Sequence, residues 1–146
     1  MIRYGKSTQN AIAAVSRLAE VYREGLRLTS ADISKDRHIS QTIAAKLLTQ
    51  LSQSGLISGS RGPGGGYALS HPPDKISLYD ITLIFERSDN NVVCPFGPNH
   101  CGAGKPCPLH AKLTELNADF EGFLKATTFD IFVSHKRPRR SHSGSR

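Results

Sequence analysis

The chain has 146 residues, 38% hydrophobic and 21% charged, with a formal net charge of +7. That is room for one core and no second independent one, and no apolar run approaches the length that spans a bilayer, which excludes a membrane protein. The charge is uneven: residues 1–61 hold nine Lys and Arg against four Asp and Glu, residues 62–133 five against eight, and residues 134–146 five against none.

A basic front and a basic tail around an acidic middle point to a polyanionic partner, nucleic acid being the usual one, with a merely solubilising surface as the plain alternative. Met1-Ile2-Arg3-Tyr4 leads straight into an alanine-rich amphipathic pattern without a signal-peptide core, so a cytoplasmic protein is expected. Ala11, Val15, Leu18, Ala19 and Tyr22 then mark one face of a first helix ending near Gly25. Ser30 to Asp36 reads as a short second helix capped by Ser30. His38-Ile39-Ser40 reads as a turn, and Ser40 as the N-cap of a third helix that runs to Gln53 with Ile43, Leu47 and Leu51 as its buried stripe and Gly55 as its stop.

Two helices joined by so short a turn predict a helix-turn-helix. The outward face of the third helix carries Gln41, Thr42, Lys46, Thr49 and Gln50, hydrogen-bonding residues with no acid among them, so together with Ser40 it is suited to a DNA major groove. An ordinary solvated face would read the same in isolation. The continuation shifts the weight: Leu56–Ser60 and Tyr67–Ser70 predict two strands around Arg61-Gly62-Pro63-Gly64-Gly65-Gly66. The tip has no Gly-Lys-Ser/Thr ending and is no nucleotide cradle. It fits a β-hairpin wing whose Arg61 and backbone at Gly64 and Gly65 approach the sugar-phosphate chain or minor groove.

After Pro72-Pro73, Ser77 caps a helix to Glu86, and residues 89–106 read as a loop rich in Gly, Pro and Asn. A long helix is expected from Pro108, the first-turn position that proline favours. Its apolar residues Leu109, Leu113, Leu116, Phe120 and Phe123 step by four and three, a heptad seam suited to the same helix of a second subunit; docking on its own domain is the alternative.

All three cysteines fall in 14 residues, Cys94, Cys101 and Cys107, with His110 close behind. An odd number in a cytoplasmic setting disfavours a structural disulfide. Thiolates wrapped by Gly and Pro suit an iron-sulfur cluster, and Cys107, expected at the helix start, would gain from the helix dipole. His110 is the foremost fourth ligand and His100 its competitor. Zinc ranks second, because the short Cys pairs of structural zinc sites are absent, and a bare thiol switch third.

The helix-turn-helix, the string Arg61-Gly62-Pro63-Gly64-Gly65-Gly66-Tyr67, the three loop cysteines and Cys107-Pro108-Leu109-His110 together resemble the bacterial winged helix-turn-helix regulators that include the iron-sulfur regulator IscR and the nitric-oxide-sensing repressor NsrR. The resemblance spans residues 1 to about 133. It implies a homodimer with crossed long helices, an imperfect palindrome of double-stranded DNA as partner, and a cluster that controls DNA affinity. It also places Cys94, Cys101, Cys107 and His110 at the ligand positions of members holding a two-iron two-sulfur cluster. Two positions depart. Gln9 stands where the nitric-oxide sensors carry an acid from the partner subunit, and Ala45 stands where IscR has a Glu that bears on operator choice.

The expected fold is mainly α with a small β-hairpin wing: a winged helix-turn-helix region (1–73), a cluster loop with a dimerisation helix (74–133), and a basic disordered tail (134–146). The expected function is a DNA-binding regulator, a repressor, controlled by its cluster. The alternative is a zinc- or cluster-binding protein that uses its helix-turn-helix as a protein-interaction platform. An enzyme is not expected, because no nucleophile-base constellation, carboxylate pair or nucleotide loop is present.

Overall fold

A computed structural model describes residues 4–86 and 107–134. Helix α1 (Lys6–Val21) is the centre of the fold. Ala11, Ala14, Val15, Leu18 and Ala19 are all buried, and the three alanines let neighbouring helices approach closely. α1 runs into a 3₁₀ turn over Tyr22–Glu24, and Gly25, at φ 66°, ends it in the left-handed region as expected.

Helix α2 (Ser30–Arg37) is capped one residue earlier than the sequence suggested. Thr29, not Ser30, accepts from the Asp32 N–H at 3.1 Å, and the Asp32 carboxylate accepts from the Thr29 N–H at 2.9 Å. This reciprocal box needs an acid three residues after the cap, which Thr29 has and Ser30 lacks. The turn that follows places His38 at φ 54° and is held by the Ser34 hydroxyl, which donates to the Ile39 carbonyl at 2.5 Å.

Helix α3 (Gln41–Gln53) begins on Ser40, whose hydroxyl accepts from the Ile43 N–H at 3.2 Å. Its buried stripe is Ala44, Leu47, Leu48 and Leu51. Ile43 is therefore not core, as the sequence suggested, but 45% exposed. Leu47 and Leu51 belong equally to a stripe with Ile43 and to one with Ala44 and Leu48, and α3 buries the second.

Strands β1 (Ile57–Ser60) and β2 (Gly66–Leu69) pair antiparallel with Ile57 opposite Leu69 and Ser60 opposite Gly66. β2 is also bound, near its tip end, to the chain before α2, because Leu28 and Tyr67 exchange both backbone hydrogen bonds, at 2.7 and 3.0 Å. A Cβ on Gly66 would lie 2.7 Å from the Leu28 carbonyl oxygen, so glycine is required by this approach.

Helix α4 (Leu78–Phe85) has its own capping box between Ser77 and Asp80. Helix α5 (His110–Ala126) packs on α4, and the chain after it returns to the segment before α4. There the Leu78 N–H donates to the Thr127 carbonyl and the Phe129 N–H to the Ile76 carbonyl, both at 2.9 Å. Phe129, fully buried, and Leu124 join the same core as α1 and α3. Short helix α6 (Asp130–Ser134), absent from the sequence reading, lies against α1.

Hydrogen bonds from the Thr29 backbone and hydroxyl hold the Asp32 carboxyl below the usual carboxylate range. A carboxylate favoured in the folded state adds stability at neutral pH that is lost as pH falls from the ordinary value through the lowered one. Thr29→Ala should cost about 1 kcal/mol near pH 7. Urea unfolding at stepped pH should show the deficit of Asp32→Asn against wild type shrinking across that acidic window.

Candidate nucleic-acid interface and cysteine segment

The positioning of α3 depends on a guanidinium bracket between α1 and α2. Arg37 donates to the Ala13 carbonyl at 3.1 Å, to the Ser16 hydroxyl at 3.2 Å and to Glu20. Arg17 bridges Asp36 at 2.8 Å and Glu20 at 3.3 Å. These part-buried, hydrogen-bonded charges fix α2, and α2 packs on α3.

With Ala44, Leu47, Leu48 and Leu51 turned inward, α3 leaves Ser40, Gln41, Thr42, Lys46 and Thr49 exposed and Gln50 half-buried. No acidic residue occurs in the helix. The residues named from the sequence thus share one surface, with Ile43 and Ala45 exposed beside them.

The wing tip is a tight turn closed by the Gly65 N–H on the Gly62 carbonyl at 2.8 Å. Gly62 and Gly64 have positive φ, and a Cβ on Gly65 would lie 2.5 Å from the Ser60 carbonyl oxygen. Arg61 and Gly64 are exposed, and Gly65 is partly so. A residue the sequence reading passed over braces this hairpin: an Arg27 side-chain N–H group is shared between the Ser58 carbonyl on β1, at 3.2 Å, and the Gly66 carbonyl on β2, at 3.3 Å. Its sequence neighbourhood carries no motif, so only the fold exposes this role.

Of the four predicted metal ligands, Cys94 and Cys101 lie outside the described residues, as do His100 and the basic residues of the tail. Cys107 is a buried free thiol. It does not open the helix, as the sequence suggested. Pro108 and Leu109 form an intervening turn, closed by the His110 N–H on the Cys107 carbonyl at 3.0 Å, and α5 starts at His110. The His110 Nδ1 is buried without a hydrogen-bond partner among the described residues. A buried ring nitrogen left unpaired is costly, and it suits a ligand atom. A buried thiol three residues away supplies the softer donor that an iron-sulfur centre uses, so the two described residues fit such a group.

A second exposed surface follows from α5. Leu113 and Phe120 turn partly inward, with Phe120 stacked on Tyr4 at 6.1 Å between ring centroids. Leu109, Leu116 and Phe123, seven residues apart, are 51%, 43% and 53% exposed. The expected seam is thus divided between the chain's own domain and an open line.

The profile of the Rrf2 family, described as iron-dependent transcriptional regulators, matches residues 4–135. A Haemophilus influenzae protein assigned to the HTH-type transcriptional regulators is 32% identical over 130 residues, covering 89% of this chain and 85% of its own. The HTH-type transcriptional regulator IscR of Klebsiella pneumoniae is 32% identical over 106 residues, covering 73% of this chain and 64% of its own. Among solved structures, CymR, the global cysteine regulator of Bacillus subtilis, superposes with a TM-score of 0.75 at 21% identity, covering 92% of this chain and 98% of that one. The T. potens IscR does so with a TM-score of 0.72 at 18% identity, covering 92% and 88%. The winged helix-turn-helix expected from the sequence is the fold, and these relatives are regulators, not enzymes.

Arg27→Ala should leave the cooperative melting of the helical core nearly unchanged, because the side chain is exposed, while loosening the hairpin. Hydrogen exchange should report faster exchange in the β1–β2 ladder and unchanged protection in α1.

Proposed function

Since the chain belongs to the Rrf2 family of transcriptional regulators, we propose that it is a cytoplasmic, homodimeric, DNA-binding repressor whose operator affinity is set by an iron-sulfur cluster. The observation that carries the DNA-binding reading is the acid-free exposed face of α3 standing beside a braced glycine wing. In this reading Ser40, Gln41, Thr42 and Lys46 meet the major groove, while Arg61 and the backbone of Gly64 and Gly65 meet the phosphates or the adjacent minor groove.

The open line of Leu109, Leu116 and Phe123 supports a helix-to-helix dimer, because a heptad repeat is the spacing at which a second helix covers such a line. Two copies would present two recognition helices, which accounts for an imperfect palindrome as the target.

Cys94, Cys101, Cys107 and His110 would hold the cluster, a two-iron two-sulfur centre in preference to zinc. When bound, such a cluster supplies a centre responsive to oxidants, nitric oxide or iron supply. This chain's own contribution is positional: His110 is the first residue of α5, and Cys107 is buried against the turn that leads into it. Order at these ligands is therefore order at the start of the helix that carries the open line.

Protein purified without oxygen should be brown, and Cys107→Ala should lose the visible absorbance. His110→Ala should keep a more labile colour, because three thiolates remain and water can fill the open position. Gel shifts on an operator enriched from random DNA should show the cysteine variant behaving as cluster-free wild type. One zinc per subunit without visible colour would replace the cluster by a structural site. Identical affinity with and without the cluster would remove its control, and failure to enrich any operator would favour a protein-interaction platform.

Phe123→Asp should separate the subunits, since the charge would be desolvated in the paired line without a partner. Sedimentation of the otherwise folded variant should show a monomer; a dimer of wild-type strength would place the interface elsewhere.

A further inference from the structure

Ile43 is placed where neither packing nor helix propensity accounts for it. It is the third residue of α3 and 45% exposed, while the helix buries Ala44, Leu47, Leu48 and Leu51 on its inner side. A β-branched residue on an exposed helix position is slightly unfavourable compared with Ala, Lys or Gln. Its backbone is fixed by the cap, because the Ile43 N–H donates to the Ser40 hydroxyl at 3.2 Å.

Its surroundings narrow what it could meet. Thr42 and Lys46 are exposed near it, and the helix carries no acid, so this surface is compatible with a polyanion. Its neighbours on the helix surface are Lys46, three residues on, and the buried Leu47, four residues on, while the Ser40 hydroxyl three residues before it already accepts from its N–H, so the Ile43 side chain stands as an apolar group at the edge of a polar surface. In a major groove the apolar feature open to a side chain without donors or acceptors is the C5-methyl group of thymine. The first turns of a recognition helix are the part that reaches base edges.

We infer that Ile43 reads a thymine methyl in each operator half-site and is a specificity-determining residue of this regulator. The inference rests on the DNA-binding reading and assigns one base feature to one side chain.

The test uses the full-length protein with an operator enriched from a random library. Each thymine is replaced in turn by deoxyuridine, which removes the C5-methyl and leaves the pairing edge intact. Wild type should lose about fourfold in affinity at one thymine per half-site, the value of one buried methyl-sized group. Ile43→Ala should bind the thymine and uracil operators equally, and Ile43→Val should retain part of the discrimination. Thermal unfolding and sedimentation of both variants should match wild type, given the exposure of the side chain. Uracil without effect at every position, or discrimination that persists in Ile43→Ala, would overturn the inference while leaving DNA binding intact. A monomer on Ile43→Ala substitution would instead make the residue a subunit contact and overturn it as well. Failure to enrich any operator would refute the DNA-binding reading, and this inference with it.

Discussion

Close packing around α1 is the constraint on which the other elements depend. One helix meets α2, α3, α4, α6 and β2, which is possible because most of its buried positions are small, with Ala11, Ala14, Ser16 and Ala19 set among Thr8, Val15, Leu18 and Val21. Larger side chains at Ala11, Ala14 or Ala19 would push α3 or α4 outward and tilt the helix-turn-helix against the rest of the chain. The charged bracket of Arg17, Glu20, Asp36 and Arg37 works on the same helix from its rim, where apolar packing ends. Core and bracket together turn a sequence-local motif into a surface of fixed orientation.

The same helix is tied to the start of the cysteine segment. Glu86 follows α4 directly, and its carboxylate accepts from the Gly5 N–H at 2.5 Å and the Thr8 hydroxyl at 2.7 Å. Gly5 is the N-cap of α1 and has no side chain to cap it, so an acid 81 residues away stands in for a capping residue. The position where the resemblance expects a ligand from the first helix, Gln9, lies in the opening turn of α1 that Glu86 holds. The two ends of the cysteine segment thus leave from anchored points, Glu86 on α1 and Cys107 before α5.

Most of the fold was legible because its signals are local. Serine caps, Gly25 and Gly55, the alternating strands and the glycine tip each specify a few residues, and the structure has them within a residue or two. Two of the misreadings share a cause, which is that periodicity cannot choose between neighbouring faces. Ile43 fits a four-residue spacing with Leu47 and Leu51 but lies beside the stripe that the core selects, and the seam of α5 is shared between an inward pair and an outward line. Thr29 displaced Ser30 because the capping box weighs a partner three residues on. Long-range contacts left no trace in the sequence: Arg27 against two strands, Glu86 on Gly5, and Ile76 on Phe129 join residues at least 31 apart in the chain. Of the candidate metal centre, the spacing of the cysteines suggested a joint role, while the His110 Nδ1, without a partner among the described residues, required coordinates.

α5 is held differently at its two ends, and this bears on how a signal at one site could reach another. At its C-terminal end the chain is fixed twice, by Thr127 to Leu78 and by Phe129 to Ile76, and Leu124 is buried. Its N-terminal end has no side-chain cap, since the residue that precedes it, Leu109, carries no side-chain acceptor for the first N–H groups of the helix. Among the described residues, Cys107, His110 and the partly inward Leu113 are the groups placed to fasten that end. A helix anchored at one end and conditionally fastened at the other changes the placement of its outer residues most near the free end, where Leu109 and Leu116 lie, and least at Phe123. In the proposed dimer, a ligand-dependent change in subunit geometry would need no displacement of the core: a shift of the first two turns of α5 would suffice, because α3 packs on α1 and would follow any rotation between subunits.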